Sequence, residues 1–138
     1  MANQPEFDWQ HFLALAHEWY ANPATTQYAE ALYRSISSRA YYAAYHAAEA
    51  TAIQLGMETT SSASDHYRVR HFYTNRGRLA NQLSVILRDL YRLRIDADYE
   101  SDKAEMTINN PQVAAQRALA LSTRASQLLT HLQPKNLP

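Results

Sequence analysis

Arg39 and His46 are the two residues of this chain best suited by type and spacing to do chemistry together. They stand seven apart in the run SSRAYYAAYHAAEA, Ser37–Ala50, which is otherwise mostly alanine and tyrosine. On a helix, seven residues bring two side chains to within about 20° of each other, two turns apart along the axis. A histidine with a near-neutral pKa can move the proton of a ribose 2′-hydroxyl. An arginine can hold the scissile phosphate and stabilise its developing charge. That reaction needs no metal. The alternative is packing, with Arg39 tying helices together and His46 serving as a hydrogen-bonded core group. Spacing alone leaves both open and favours packing.

A second polar pair, Arg94 and Asp98, sits at i,i+4 spacing near the end of a leucine-rich stretch. Such a pair neutralises itself on a helix. On a core-facing side it must find further partners or water. It reads either as an ion pair closing the fold or as a phosphate contact, Arg94, oriented by Asp98. The surrounding Arg88, Asp89, Arg92 and Asp96 read as a solvated face.

The six histidines form no metal-binding motif, and His66 and His71 point about 140° apart on a helix. No serine lies in a nucleophile-elbow context. The segment RVRHFYTNRGR, Arg68–Arg78, is the most basic stretch and interleaves Arg68, Arg70, Arg76 and Arg78 with aromatic rings. It is suited to phosphate or an acidic partner, and equally to being a solvated connector. The tyrosines, Tyr41, Tyr42, Tyr45, Tyr67, Tyr73, Tyr91 and Tyr99 among them, are able to stack on bases. In helical proteins they more often fill core with the hydroxyl at the rim.

These groups must be positioned by helices. The chain has 138 residues, two glycines, no cysteine and a formal net charge of zero. Cysteine absence excludes disulfides and thiolate metal sites. Two glycines argue against a sheet with tight hairpins and leave no Gly-rich phosphate loop. Net neutrality removes any global electrostatic argument for nucleic acid or membrane. Eleven arginines against two lysines lean towards bidentate anion contacts. No apolar run reaches membrane-spanning length, and the start MANQPEFDWQ is unlike a signal peptide, so a cytoplasmic location is expected. Neither a metal nor a cofactor is expected.

Five helices are predicted. Asp8 caps the first, which runs to about Tyr20 with Phe12, Leu15, Ala16 and Trp19 on one face. Pro23 stands near the start of the second, from about Thr25 to Leu55 and stopped by Gly56. Ser64 or Asp65 caps a short third through His66–Tyr73. The fourth runs from near Arg78 to about Tyr99, with Leu79, Leu83, Ile86, Leu87, Leu90 and Leu93 as its apolar stripe. Pro111 opens the fifth, to about His131. On the second helix Tyr28, Leu32, Arg39, Ala43, His46, Ala50 and Ile53 form one stripe, read as buried. Tyr33, Tyr41, Ala44, Ala48 and Leu55 lie opposite. A helix apolar on both sides is central in its bundle or covered by a partner. The expectation is an all-α, up-and-down bundle of four to five helices forming one domain over residues 1–138, with a core from about 8 to 132 and a polar tail from 133.

Two motifs carry a resemblance to a known family. One is SRAYYAAYHAA, Ser38–Ala48, and the other is LYRLRIDADY, Leu90–Tyr99, with DHYRVRHFY between them. In this order and spacing the chain resembles the HEPN domain family, in its small stand-alone prokaryotic branch, over about Tyr28 to Gln127. The resemblance implies a four- or five-helix bundle, often a homodimer, with a role near RNA or nucleotides. Many members are metal-independent ribonucleases acting as toxins or in defence. Others pair with a minimal nucleotidyltransferase that serves as antitoxin. The ribonuclease members use an arginine followed after four to six residues by a histidine, which Arg39 and His46 match. Here Ala40 follows the arginine, and Ala48 stands where some toxins carry a modified tyrosine. The resemblance implies Arg39 and His46 as catalytic pair, with Tyr42, His66, Arg94 and Asp98 as a supporting polar centre. Read as an adaptor, the chain is instead a non-catalytic, nucleotide-binding subunit of such a pair.

Overall fold

In a computed structural model, residues 6–22, 26–60, 62 and 64–133 are described. They form five α-helices: α1 Gln10–Ala21, α2 Ala29–Gln54, α3 Asp65–Phe72, α4 Arg78–Tyr99 and α5 Pro111–Leu132. There is no strand among the described residues. The all-helical bundle expected from the sequence is the fold. Pro23 and the expected start at Thr25 lie outside the described residues; a 3₁₀ turn, Thr26–Tyr28, leads into α2. No helix among the described residues is long and apolar enough to cross a membrane.

The ends of the helices follow local chemistry. The cap position of α1 is Trp9, which makes no side-chain cap bond, and Asp8, expected there, stands one residue earlier and accepts the Gln10 N–H on Oδ1 at 2.9 Å. Asn110 takes the N–H groups of Gln112 and Val113, and Pro111 occupies the first turn of α5 where its missing N–H costs nothing. After α2, Gly56 adopts φ +110°. The N–H of Gly56 reaches Ile53 O and that of Met57 reaches Ala52 O, the paired bonds of a glycine C-terminal cap. The end of α4 is capped from outside: Arg34 on α2 donates from Nη1 to the carbonyls of Asp96, Ala97 and Glu100 at 3.2, 3.1 and 2.6 Å. A cation there also complements the helix dipole.

Ser64 makes no side-chain cap bond at the start of α3. Asp65 turns inward instead, 3% exposed, and accepts from the Thr60 N–H and from the Thr59 and Thr60 hydroxyls. It therefore ties the α2–α3 connection to α3.

Helix α2 is central and touches all four others. Ala40, Ala44, Ala48 and Ala52 on α2 and Ala114, Ala115, Ala118 and Ala125 on α5 are buried in one core cluster, and the two helices are in contact. Small side chains on both helices let their axes approach closely. Ser122 bridges them by donating to Ala40 O at 2.7 Å. Helix α4 packs against both α2 and α5 and brings the expected stripe: Leu83, Ile86, Leu87, Leu90 and Leu93 are buried and Leu79 packs at the edge.

The α2 stripe expected to be buried is a correction. Ala43 is fully buried, but Tyr28 and Ile53 are 61% and 44% exposed and Ala50 faces solvent. The deeper side is the opposite one, through Ile36, Ala40, Tyr41, Ala44 and Ala48. Helices α4 and α5 both lie on that side, whereas the Arg39/His46 side receives the short α1. Gln133, placed by the sequence in the polar tail, donates to Thr51 Oγ1 at 2.9 Å; residues 134–138 lie outside the described residues.

Candidate functional site

The face of α2 that carries Arg39, Tyr42 and His46 meets aromatic rings from the start of α1. The Trp9 ring stacks on the His46 imidazole with centroids 3.5 Å apart and planes 15° from parallel. The Arg39 guanidinium lies over the Phe12 ring, 4.8 Å from its centroid. Gln10 fixes this end of α1 to the bundle by donating to Ala43 O at 3.2 Å and accepting from Ser126 Oγ at 2.9 Å. Arg39 and His46 are both partly buried. Among the described residues Arg39 makes no ion pair.

Burial lowers the His46 pKa, opposed by the nearby Glu49 carboxylate and reinforced by His66. A histidine that is neutral at pH 7 is able to accept a proton. Because the folded-state value lies below the ordinary value of about 6.5, stability is fully present above pH 6.5. It is lost as the pH falls towards the folded value, since the unfolded chain takes up the proton first. Trp9→Ala opens the ring to water and is expected to move the His46 titration, followed by the NMR shift of its ring protons, up towards 6.5. An unchanged midpoint would show that Trp9 does not set this environment.

One turn away, Arg94 and Asp98 on α4 reach the same helix. Arg94 Nη2 donates to Tyr42 Oη at 2.7 Å, and Ser38 Oγ donates to Asp98 Oδ2 at 3.2 Å. Arg94 Nε stands 3.0 Å from Asp98 Oδ2. Its N–H does not aim at that oxygen and has no hydrogen-bond acceptor among the described residues. The contact is therefore one of charge rather than a linear hydrogen bond. The further partners that a core-facing pair requires are Tyr42 and Ser38. The Arg94 guanidinium also lies over the Tyr42 and Tyr99 rings.

His66, on α3, belongs to the adjoining ring cluster. It stacks on Tyr45 at 4.2 Å, and its Nδ1 makes a short hydrogen bond with the Tyr41 hydroxyl. Burial, with Arg94 and Arg70 nearby, lowers the His66 pKa. Burial raises that of Tyr41, with a further push from Tyr45. The phenol therefore keeps its proton at neutral pH. Tyr45 donates to Glu49 at 2.9 Å, and its own pKa is raised chiefly by burial. The His66 and Tyr42 rings are 6.4 Å apart, which is how His66 adjoins the Arg94–Asp98 pair.

The four arginines of the basic segment separate. Arg68 lies 3.6 Å from Asp65. Arg70 lies over the Tyr91 ring at 4.7 Å and the Tyr67 ring at 5.7 Å. Arg76 packs 3.8 Å over Phe72 and donates to its carbonyl. Arg78 is exposed at the start of α4. Arg88, read from sequence as part of a solvated face, lines a cleft with Arg70 and Tyr67. No local signal identifies it, because the cleft is made by α3 crossing α4. Asp96, from the same stretch, accepts the Thr107 N–H at 2.8 Å and so holds the α4–α5 connection.

Comparison with known proteins supplies one assignment. No curated protein and no solved structure matches the chain. The family model for the HEPN domain matches residues 16–131, which takes in the second half of α1, all of α2, α3 and α4, and all but the last residue of α5. The helical bundle and both motif-bearing helices fall inside that match, and the chain belongs to the HEPN domain family.

Proposed function

We propose that this chain is an RNA-directed effector of the toxin or defence type, cutting RNA with Arg39 and His46 and without a metal. Membership of the HEPN family supports a nucleotide- or RNA-related role in general. The observation that carries the finer reading is the contrast between the two arginines on either side of Tyr42. Arg94 is neutralised by Asp98, whereas Arg39 has no carboxylate within ion-pair reach among the described residues. Of these two, Arg39 is thus the cation left for a phosphate, on the same helix face as a neutral histidine. In this reading His46 takes the proton of a ribose 2′-hydroxyl and that oxygen attacks the adjacent phosphorus. The 5′-oxygen leaves with a proton from water, and the product ends in a 2′,3′-cyclic phosphate. Arg39 holds the non-bridging oxygens as charge develops on them. Trp9 has to leave the face of His46 for a ribose to reach it. The reading includes a homodimer that brings two such faces together.

The test is purified protein with RNA in EDTA, with products resolved by their 3′ ends. Cyclic-phosphate ends are expected, and RNA left intact by folded protein overturns the reading. One observation favours the second reading, an adaptor or nucleotide-binding subunit beside a nucleotidyltransferase antitoxin. Rings cover Arg39 and His46, and neither lines any of five surface clefts of about 190 to 350 Å³. Intact RNA together with a stable complex on co-expression with such a transferase selects that alternative.

A further inference from the structure

Two shallow clefts of about 220 and 350 Å³ lie side by side on the α3 surface, and Tyr67, His71 and Thr74 line both. The ridge between them is aromatic. Tyr67, 58% exposed, stacks on His71 with planes 11° from parallel and centroids 5.5 Å apart. Arg70 and Arg88 line one cleft, Arg68 and Arg76 the other, and no carboxylate residue lines either. Arg68 and Arg88 are paired with Asp65 and Asp89. Arg70 and Arg76 lie over rings and make no ion pair among the described residues. A chain with zero formal net charge thus concentrates four of its eleven arginines around one exposed ring.

We propose that the Tyr67–His71 ridge and its flanking arginines bind a single-stranded RNA segment, with a base stacked on Tyr67 and phosphates held in the clefts on either side. The inference rests on the RNA reading above and adds where the strand is held, away from Arg39 and His46. An exposed ring offers its face to any unstacked base, which a duplex does not present. An acidic peptide would use the arginines and leave the ring idle. Two clefts sharing one ridge suit consecutive nucleotides better than a single mononucleotide.

The experiment is fluorescence anisotropy with a labelled twelve-nucleotide RNA, single-stranded or in duplex, with ATP and polyglutamate as competitors. His46→Ala serves as the host so that the probe is not cut, and cleavage by the protein with native His46 is followed separately. Tyr67→Ala is expected to weaken single-strand binding about ten-fold, the scale of one lost base stack, while Tyr67→Phe retains it. Arg88→Glu, at a largely exposed position, is expected to weaken binding several-fold. It should also flatten the dependence of log affinity on log salt by about 0.7, the share of one phosphate contact. It carries the test should Tyr67→Ala melt early. Wild-type affinity in both variants, equal affinity for duplex, or no single-strand binding overturns the inference. So does displacement by polyglutamate with no effect of Tyr67→Ala, which marks a protein-binding surface. Cleavage that survives loss of the ridge refutes this inference alone; lost cleavage with intact ridge binding refutes the catalytic reading alone.

Discussion

His46→Ala is expected to lower the rate of RNA cleavage by roughly 100- to 10,000-fold, the scale of a lost general base, with the fold retained. The side chain is only partly buried and its chief neighbour is the Trp9 ring. An aromatic pair contributes about 0.5–1.5 kcal/mol beyond burial. A chain of this size should then lose only a few degrees, roughly 2–8 °C, in melting temperature. A structural role alone would move both readouts together, whereas a catalytic one separates them. The pH profile adds an independent readout. Burial holds His46 neutral, so activity should fall on the acid side at a pH below 6.5. Trp9→Ala should shift that limb upward. A stably folded His46→Ala protein that cuts RNA at the wild-type rate removes His46 from the chemistry.

Asp98→Ala is expected to destabilise the protein by roughly 1–3 kcal/mol. Exposed pairs contribute under about 1 kcal/mol and breaking a buried one costs about 3–5. This pair lies between those limits, with the Arg94 side chain 15% and the Asp98 side chain 29% exposed. The loss falls on Arg94, whose cation would keep only Tyr42 Oη and its ring contacts, and Ser38 would lose its acceptor. The double variant Arg94→Met/Asp98→Ala should recover part of the stability, because the unpaired charge is gone. Thermal melts of the two proteins make the comparison. A double variant less stable than Asp98→Ala would mean that Arg94 stabilises the bundle through Tyr42 rather than through its charge pair. Freed from Asp98, Arg94 should also bind anions more strongly, so Asp98→Ala should raise RNA affinity even as it lowers the melting temperature.

The helices themselves are legible in the chain because their causes are local. Leucines at three- and four-residue spacing mark α4, Asn110 and Pro111 start α5, and Gly56 ends α2 through its positive φ. The two motifs that carry the resemblance lie on α2 and α4, each within one helix. The Arg94–Asp98 pair is equally local, and its need for more partners follows from its place on the leucine stripe.

What those partners are, only the tertiary structure decided. Ser38 and Tyr42 lie more than fifty residues from Arg94 and Asp98, and no periodicity relates them. The same holds for Arg34, which caps α4 from α2, and for Arg88, which meets Tyr67 only because α3 crosses α4. Helix α2 is the clearest case. It is apolar on two sides, so its period alone offered two core faces of equal merit. The packing of α4 and α5 buried the Tyr41 side and left Arg39 and His46 to the rings of α1. Local sequence determined where the helices run; the choice of which faces meet belongs to the whole chain, because burial is settled between elements rather than within them.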